Sequence, residues 1–167
     1  MEFIYCKAQP GDAAALLDYL KVIGAESGNL SFGAEGFPAT IEQEEAFLTN
    51  MQDNPNTLML NALADGIIVG NASISRHNRP RFAHRWDIAI SVRKSHWGMG
   101  IGTGLMTRLI EFAKHAGAEV ISLEVRSDNA RAKALYRKFG FETFGTYRKF
   151  FKIDDEYFDA DYMNLYL

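Results

Sequence analysis

The chain has 167 residues, 47% of them hydrophobic, and a formal net charge of −3 at pH 7. This length suits one domain with a buried core, and the mild acidity gives no electrostatic reason to expect nucleic acid or an anionic membrane as a partner. Cys6 is the only cysteine, which excludes an internal disulfide and favours a reducing compartment. No apolar run approaches the roughly 20 residues that span a bilayer, so we expect a soluble, cytoplasmic protein.

The N-terminal third of the sequence predicts one strand followed by two helices. Alternation over Phe3–Lys7 is typical of a strand, and Pro10-Gly11-Asp12 predicts a turn whose aspartate caps a first helix that ends near Ile23. Residues 26–38 are rich in Gly, Ser and Asn and are expected to form an ordered loop. Thr40, followed by glutamine and glutamate three and four residues later, predicts the start of a second helix.

The rest of the sequence predicts six strands and two helices. Asp65-Gly66, between two apolar strands, is the signature of a tight hairpin. The order β-α-α-β-β-β-α-β-α-β-β indicates a mixed α/β (α+β) fold, in which about four helices flank a mostly antiparallel twisted sheet of about seven strands with one parallel crossover. These later elements are strands over 56–64, 67–75 and 82–92, a helix carrying Leu105 to Ala116, a strand over 120–125, a helix over 129–139, and strands over 141–153 and 157–167.

Four alternating glycines, Gly98, Gly100, Gly102 and Gly104, stand between the strand and the helix of the crossover. At a helix N-terminus the first backbone N–H groups lack partners and the helix dipole is positive, so an anion can bind to main chain if no Cβ blocks its approach. No lysine follows as a P-loop requires, and the G-x-G-x-x-G spacing does not fit. The motif predicts either a phosphate-binding turn or a turn that lets the helix pack closely on a strand.

Three segments of the sequence carry a resemblance. They are residues 87–103, the segment Asn129-Ala-Arg-Ala-Lys-Ala-Leu-Tyr-Arg-Lys-Phe-Gly-Phe141, and residues 154–163. They are similar, in this order, to the fourth strand with its Q/R-x-x-G-x-G/A loop, the N-x-x-A-x-x-x-Y-x-x-x-G-F segment, and the closing hairpin of the GNAT superfamily. The resemblance implies a single N-acetyltransferase domain over 1–167, which transfers acetyl from acetyl-CoA to a primary amine of a small molecule or protein.

The resemblance also implies a set of residues that bind acetyl-CoA. Main-chain groups of the strand end would bind the pantetheine arm like an added strand, and the glycine turn would hold the pyrophosphate. Asn129 and Ala132 would touch the cofactor, although a helix cap and a packed alanine are equally good interpretations. The predicted cofactor-binding residues are Ile90, Ser91, Val92, Gly98, Met99, Gly100, Ile101, Gly102, Thr103, Asn129 and Ala132.

One position departs from the family pattern. Trp97 stands three residues before Gly100, where the family usually has Gln or Arg, and an indole supplies no cation to a pyrophosphate. We therefore expect phosphate contacts made mainly by backbone N–H groups, assisted by the Thr103 hydroxyl and by Arg93 or Lys94.

Two residues are predicted to be catalytic. Tyr136 matches the family tyrosine that donates a proton to the departing CoA sulfur or hydrogen-bonds it, and a core aromatic is the alternative. Asp87 matches a position where many relatives carry glutamate, and it would deprotonate the amine through a water. A structural salt bridge from Asp87 to Arg85 or Arg126 is the alternative, and Glu124 is the reserve candidate for the base.

The remaining side chains favour direct transfer in a ternary complex. No Cys/His pairing involves Cys6, so an acetyl-cysteine intermediate has no support, and the four histidines lack metal-ligand spacing, so no metal is predicted. The basic cluster over 76–85 is interpreted either as a solvated hairpin or as a docking patch for an acidic substrate. Glu26 is interpreted either as a site for a cationic amine or as a solvated loop residue.

A function of a different class is also compatible with the sequence. A non-catalytic acyl-CoA-binding sensor would use the same glycine turn, and release of free CoA in the presence of amines separates the two. The identity of the amine acceptor stays open, as does a homodimer formed through the sheet edge or the C-terminal strand. Neither nucleic acid nor a membrane is expected as a partner.

Overall fold

The computed structural model describes residues 2–167, in which seven strands form one sheet and four helices pack on it. No helix in this range is long and apolar enough to cross a membrane. The strands are β1 (Ile4–Lys7), β2 (Thr57–Ala64), β3 (Ile67–Arg76), β4 (Arg85–Val92), β5 (Val120–Arg126), β6 (Glu142–Ile153) and β7 (Glu156–Tyr166), and the helices are α1 (Ala13–Glu26), α2 (Ile41–Asp53), α3 (Ile101–His115) and α4 (Ala130–Lys138).

The chain order of these elements confirms the predicted fold class. At the start of α2 the predicted cap is present, since the Thr40 hydroxyl accepts from the Gln43 N–H at 3.2 Å. Asp12 occupies the N-cap position of α1, as predicted, but its side chain makes no capping hydrogen bond to that helix. The carboxylate accepts instead from the Gln9 N–H at 2.9 Å, across the 3₁₀ turn before the helix. β4 begins at Arg85 rather than at residue 82, because residues 80–82 form a second 3₁₀ turn.

The strands lie in the order β1-β2-β3-β4-β5-β7-β6, and every neighbouring pair is antiparallel except β4 and β5. This parallel pair is short. Residues 85–87 pair with residues 120–122, and no pairing continues beyond them. From Ile88 onward, one edge of β4 therefore has no neighbouring strand.

The two faces of the sheet are covered by different helices. Ile90 of β4 packs with the cluster that contains Trp86 and Leu105 of α3, whereas the next residue, Ser91, contacts Tyr19 of α1. Because successive side chains of a strand point to opposite faces, α1 and α3 lie on opposite sides of the sheet. The larger core lies on the α3 side, where Trp86 is completely buried.

A buried polar cluster ties α4 to the end of the sheet. Asp161 of β7 is only 5% exposed and accepts hydrogen bonds from Lys133 of α4, from Ser127 at 2.7 Å and from Thr146 of β6 at 2.9 Å. Burial by itself would raise the pKa of this carboxyl. The three hydrogen bonds and the Lys133 charge outweigh burial, so the pKa of Asp161 lies below its ordinary value.

We expect Asp161→Asn to lower the free energy of unfolding at pH 7 by about 3 kcal/mol, because it leaves the Lys133 ammonium buried without its counter-charge. When folding lowers the pKa of a carboxyl, its ionised form stabilises the folded state at every pH above the unfolded-state pKa of about 3.9. This stabilisation is lost as the pH falls through the folded-state pKa. Urea unfolding should therefore show the largest difference between variant and parent at pH 7, and this difference should shrink as the pH falls below about 3.9.

Asp155→Asn is the matched control, because the Asp155 side chain is 94% exposed and pairs with Lys152 in solvent. This variant should unfold like the parent. Equal effects of the two substitutions would contradict the stabilising role assigned to the buried cluster.

Candidate active site

An open cleft of about 1360 Å³ lies where β4 and β5 separate. β4 and β5 themselves form two of its walls, and the turn before α3 together with α4 forms another. The loop after α1 and the β6–β7 hairpin close the far end. The cleft thus collects residues from elements that are distant in the sequence.

The exposed edge of β4 offers main-chain groups to this cleft. The Arg93 N–H donates to the Val69 carbonyl of β3 at 2.8 Å. Because bonding alternates along an antiparallel ladder, the main-chain groups of Ser91 also turn towards β3, and those of Ile90 and Val92 turn towards the cleft. The Ser91 hydroxyl lies 3.0 Å from the Tyr19 hydroxyl, so this side chain is engaged with α1.

The turn before α3 presents a set of free donors. Gly98 and Gly100 have φ of +79° and +83°, left-handed values that favour glycine. Gly100 precedes α3, and the N–H groups of Ile101, Gly102 and Thr103 make no hydrogen bond with any residue between 2 and 167. These donors and the positive end of the helix dipole suit an anion.

The four glycines divide into two pairs with different tasks. A Cβ at Gly98 or Gly100 would meet no atom within 4 Å, so these residues border open space. A Cβ at Gly102 would lie 2.9 Å from a methyl of Leu135, and one at Gly104 would collide with the Tyr5 ring. The second pair therefore fits the close-packing interpretation, and the first pair leaves the open space that the phosphate-binding interpretation requires.

Met99, between the first two glycines, is the one predicted cofactor-binding residue whose side chain does not line the cleft. It is 50% exposed and is absent from the residues that line the cleft. Any contact it makes in the cleft would therefore come from its main chain.

A cationic side chain that the sequence did not predict lies over the ring of Trp97. Its indole N–H donates to the Val92 carbonyl at 2.8 Å, which fixes the ring beside the end of β4. The guanidinium of Arg131, from the first turn of α4, lies over this ring at 4.6 Å from its centroid. Both side chains line the cleft next to Gly98. The only signal in the sequence is a basic residue two positions after Asn129.

Glu26 is the last residue of α1 rather than a solvated loop residue, and it lines the cleft. Its carboxylate accepts from the Lys94 N–H at 2.7 Å and lies 3.9 Å from the Arg93 guanidinium. The last residue of α1 therefore anchors the turn that follows β4. The same contact directs Arg93 towards Glu26, whereas it was expected to assist at the phosphates.

Helix α4 brings three predicted residues to the cleft. The Asn129 side chain accepts from the Ala132 N–H at 3.1 Å, which confirms it as the N-cap. Ala132 and Tyr136 follow on the same face and line the cleft. Tyr136 is 7% exposed and packs against Phe141, and burial raises its pKa to about 12. Its phenol therefore keeps its proton at neutral pH.

The two candidate bases have different surroundings. Oδ2 of Asp87 lies 2.9 Å from Nε2 of His77 without the angle of a hydrogen bond, so the two form an ion pair when His77 is protonated. The predicted salt bridge from Asp87 to Arg85 or Arg126 is wrong. Arg126 pairs instead with Asp128. Glu124 of β5 also lines the cleft, and it makes no ion pair or hydrogen bond within the described part of the chain.

Three residues of the basic cluster over 76–85 have different surroundings. The Arg76 guanidinium donates to the Ala83 carbonyl at 2.8 Å and closes the loop between β3 and β4. His77 and Arg85 line the cleft, and Arg85 also lies over the Phe82 ring.

Comparison with known proteins identifies the family. A model of the Acetyltransferase (GNAT) family matches residues 28–141. This chain belongs to the GNAT family. It is therefore an N-acetyltransferase, which favours the enzyme over the non-catalytic sensor that the sequence left open.

Individual GNAT proteins resemble this chain to different extents. L-amino acid N-acetyltransferase AaaT of Escherichia coli (strain K12) is 37% identical over 114 residues, which cover 68% of this chain and 70% of that protein. N-alpha-acetyltransferase RimI of Mycobacterium tuberculosis is 38% identical over 60% of this chain and 61% of its own length. The crystal structure of a GNAT acetyltransferase from Streptococcus pneumoniae superposes with a TM-score of 0.94 at 29% identity, covering 99% of both chains.

Proposed function

We propose that this enzyme binds acetyl-CoA in the cleft between β4 and β5 and transfers its acetyl group directly to a primary amine, with residues 1–167 acting as one domain. One observation carries the proposal. The unpaired main-chain edge of β4 leads into three free N–H donors at the start of α3, and a protonated Tyr136 lines the same cleft. We also propose a cytoplasmic location, which the single cysteine supports.

The diphosphate of acetyl-CoA is assigned to the turn before α3. The N–H groups of residues 101–103 would donate to its oxygens, and Gly98 and Gly100 leave room for its approach. Arg131, held over Trp97, supplies the cation that the indole lacks. The pantetheine arm would then extend along β4 and bond to the main-chain groups of Ile90 and to the N–H of Val92, whose carbonyl already accepts from the Trp97 indole.

Transfer begins when the amine, having lost its proton, attacks the thioester carbonyl. Asp87, acting through a water, or Glu124 would take that proton. The tetrahedral intermediate collapses by breaking the C–S bond, and the leaving thiolate takes a proton from Tyr136. The nitrogen that has attacked releases its second proton to solvent, which leaves a neutral amide. The acetylated amine and CoA are the products, and the phenol regains its proton from solvent. No acetyl-enzyme forms.

The acceptor is proposed to be a small molecule or the terminal amine of a protein. One relative is named for L-amino acids and another for an alanine of ribosomal protein bS18, so both kinds of acceptor occur in the names of similar proteins. An α-amine near pKa 8 loses its proton at neutral pH more readily than a lysine side chain near 10.4, which reduces the demand on the base.

Release of free CoA from acetyl-CoA, measured with a panel of amines, tests the function. We expect turnover that requires an amine, and intersecting double-reciprocal lines when both substrates are varied. Tyr136→Phe should lower kcat about 100-fold and leave the Kd of CoA unchanged, because the lost proton donor acts only after CoA is bound. Parallel lines would contradict direct transfer, and tight CoA binding without turnover of any amine would favour a sensor.

Arg131→Ala should raise the KM for acetyl-CoA about tenfold and leave kcat unchanged, because a charged contact to phosphate is lost while the reacting atoms stay in place. An acetyl-pantetheine thioester, which lacks the diphosphate, should be used equally well by variant and parent. Arg137→Ala, at the exposed end of the same helix, is the control and should behave like the parent. An unchanged KM for acetyl-CoA would remove Arg131 from the site.

A further inference from the structure

An aromatic wall forms the far end of the cleft. The Phe144 ring lies 5.9 Å from the Tyr162 ring, Phe150 lies 6.4 Å from Tyr162, and Phe151 lies 4.8 Å from Phe150. All four rings line the cleft, and Phe144 is 61% exposed. Phe150, Phe151 and Tyr162 are partly exposed. Aromatic side chains that line a cleft in this way are typical of a ligand-binding surface.

Two irregularities in β6 place these rings together. The register with β7 shifts between Thr143 and Gly145, which makes Phe144 an extra residue beside Tyr162. It shifts again between Tyr147 and Phe151, where Lys149 has φ of +56° and its N–H donates to the Asp159 carboxylate at 2.8 Å. The second bulge contributes Phe150 to the wall. A regular strand would turn alternate rings to opposite faces.

A free carboxylate lies beside the wall. Glu124 of β5 is the cross-strand neighbour of Tyr162, and both side chains face away from the core. The negative charge of Glu124 adds to desolvation in raising the pKa of the Tyr162 phenol. The other cleft carboxylates have partners: Glu26 has the Lys94 N–H, Asp87 has His77, and Asp128 has Arg126.

An unpaired carboxylate next to aromatic rings complements one kind of amine. The carboxylate attracts an ammonium group. Burial of an apolar side chain against the rings is favourable because it removes apolar surface from water. A small hydrophilic amine would leave the wall exposed, and an acidic acceptor would meet Glu124 unfavourably.

We propose that the acceptor is an α-amine borne by an aromatic or large apolar residue, with its amine at Glu124 and its side chain against the wall of Phe144, Phe150, Phe151 and Tyr162. This inference rests on the proposed acetyl transfer and specifies its substrate class. The same chemistry occurs in a free aromatic amino acid and in the first residue of a peptide, which differ in whether a carboxylate stands next to the amine.

The test compares L-phenylalaninamide, L-phenylalanine and L-alaninamide as acceptors for the full chain at saturating acetyl-CoA, with CoA release as the readout. We expect kcat/KM for phenylalaninamide, phenylalanine or both to exceed that for alaninamide at least tenfold. A preference for phenylalaninamide would point to a peptide N-terminus, and a preference for phenylalanine to a free amino acid. Either supports the aromatic wall as the acceptor site.

Variants separate the wall from general effects on the enzyme. Phe150→Ala and the milder Phe150→Leu should reduce the preference for the aromatic acceptor by raising its KM, and both should leave the KM for acetyl-CoA unchanged. Glu124→Gln should raise the KM for the aromatic acceptor. Tyr157→Ala is the control, because Tyr157 is an exposed aromatic of the same hairpin that does not line the cleft.

Two failures are distinguishable. Equal use of alaninamide and the aromatic acceptors, or a preference that survives both Phe150 substitutions, would overturn the acceptor assignment while acetyl transfer stands. Absence of CoA binding to the folded chain would overturn the proposed function, and this inference with it.

Discussion

The site depends on the interrupted pairing of β4 and β5. Each strand is held along its length by its other neighbour, β4 by β3 and β5 by β7, so the two can separate after three paired residues without losing their place in the sheet. The separation leaves main-chain N–H and C=O groups without partners, and such groups require hydrogen bonds from water or a ligand. A ligand with an amide-bearing arm can satisfy them as an added strand would.

Side-chain contacts between distant segments hold the walls of the cleft in place. Glu26 joins α1 to the turn after β4, and the Asp161–Lys133 pair joins α4 to β7. The phosphate-binding end is built mainly from main chain, since backbone donors at a helix start need no lysine. The Arg131 guanidinium of α4, which lies over Trp97, adds one cation.

Local patterns predicted most of the fold. Strand alternation, the Asp65-Gly66 turn and the Thr40 cap involve neighbours in sequence, so they can be read from the chain. The features that the sequence did not predict depend on contacts between segments that are distant in the chain. Arg131 over Trp97 and the position of the aromatic rings follow from the tertiary packing of α4 and from two bulges in β6. The resemblance supplied the candidate residues, but not the alternation that turns the main-chain groups of Ser91 towards β3.

The central claim is that the β4 edge and the α3 N-terminus together bind CoA. Nuclear magnetic resonance of the isotopically labelled full chain, titrated with CoA, observes these amides directly. The account predicts saturable shifts of the Ile90, Ile101, Gly102 and Thr103 amide signals at a stoichiometry of one. Absence of any shift at millimolar CoA, or shifts confined to residues outside the cleft, would contradict it.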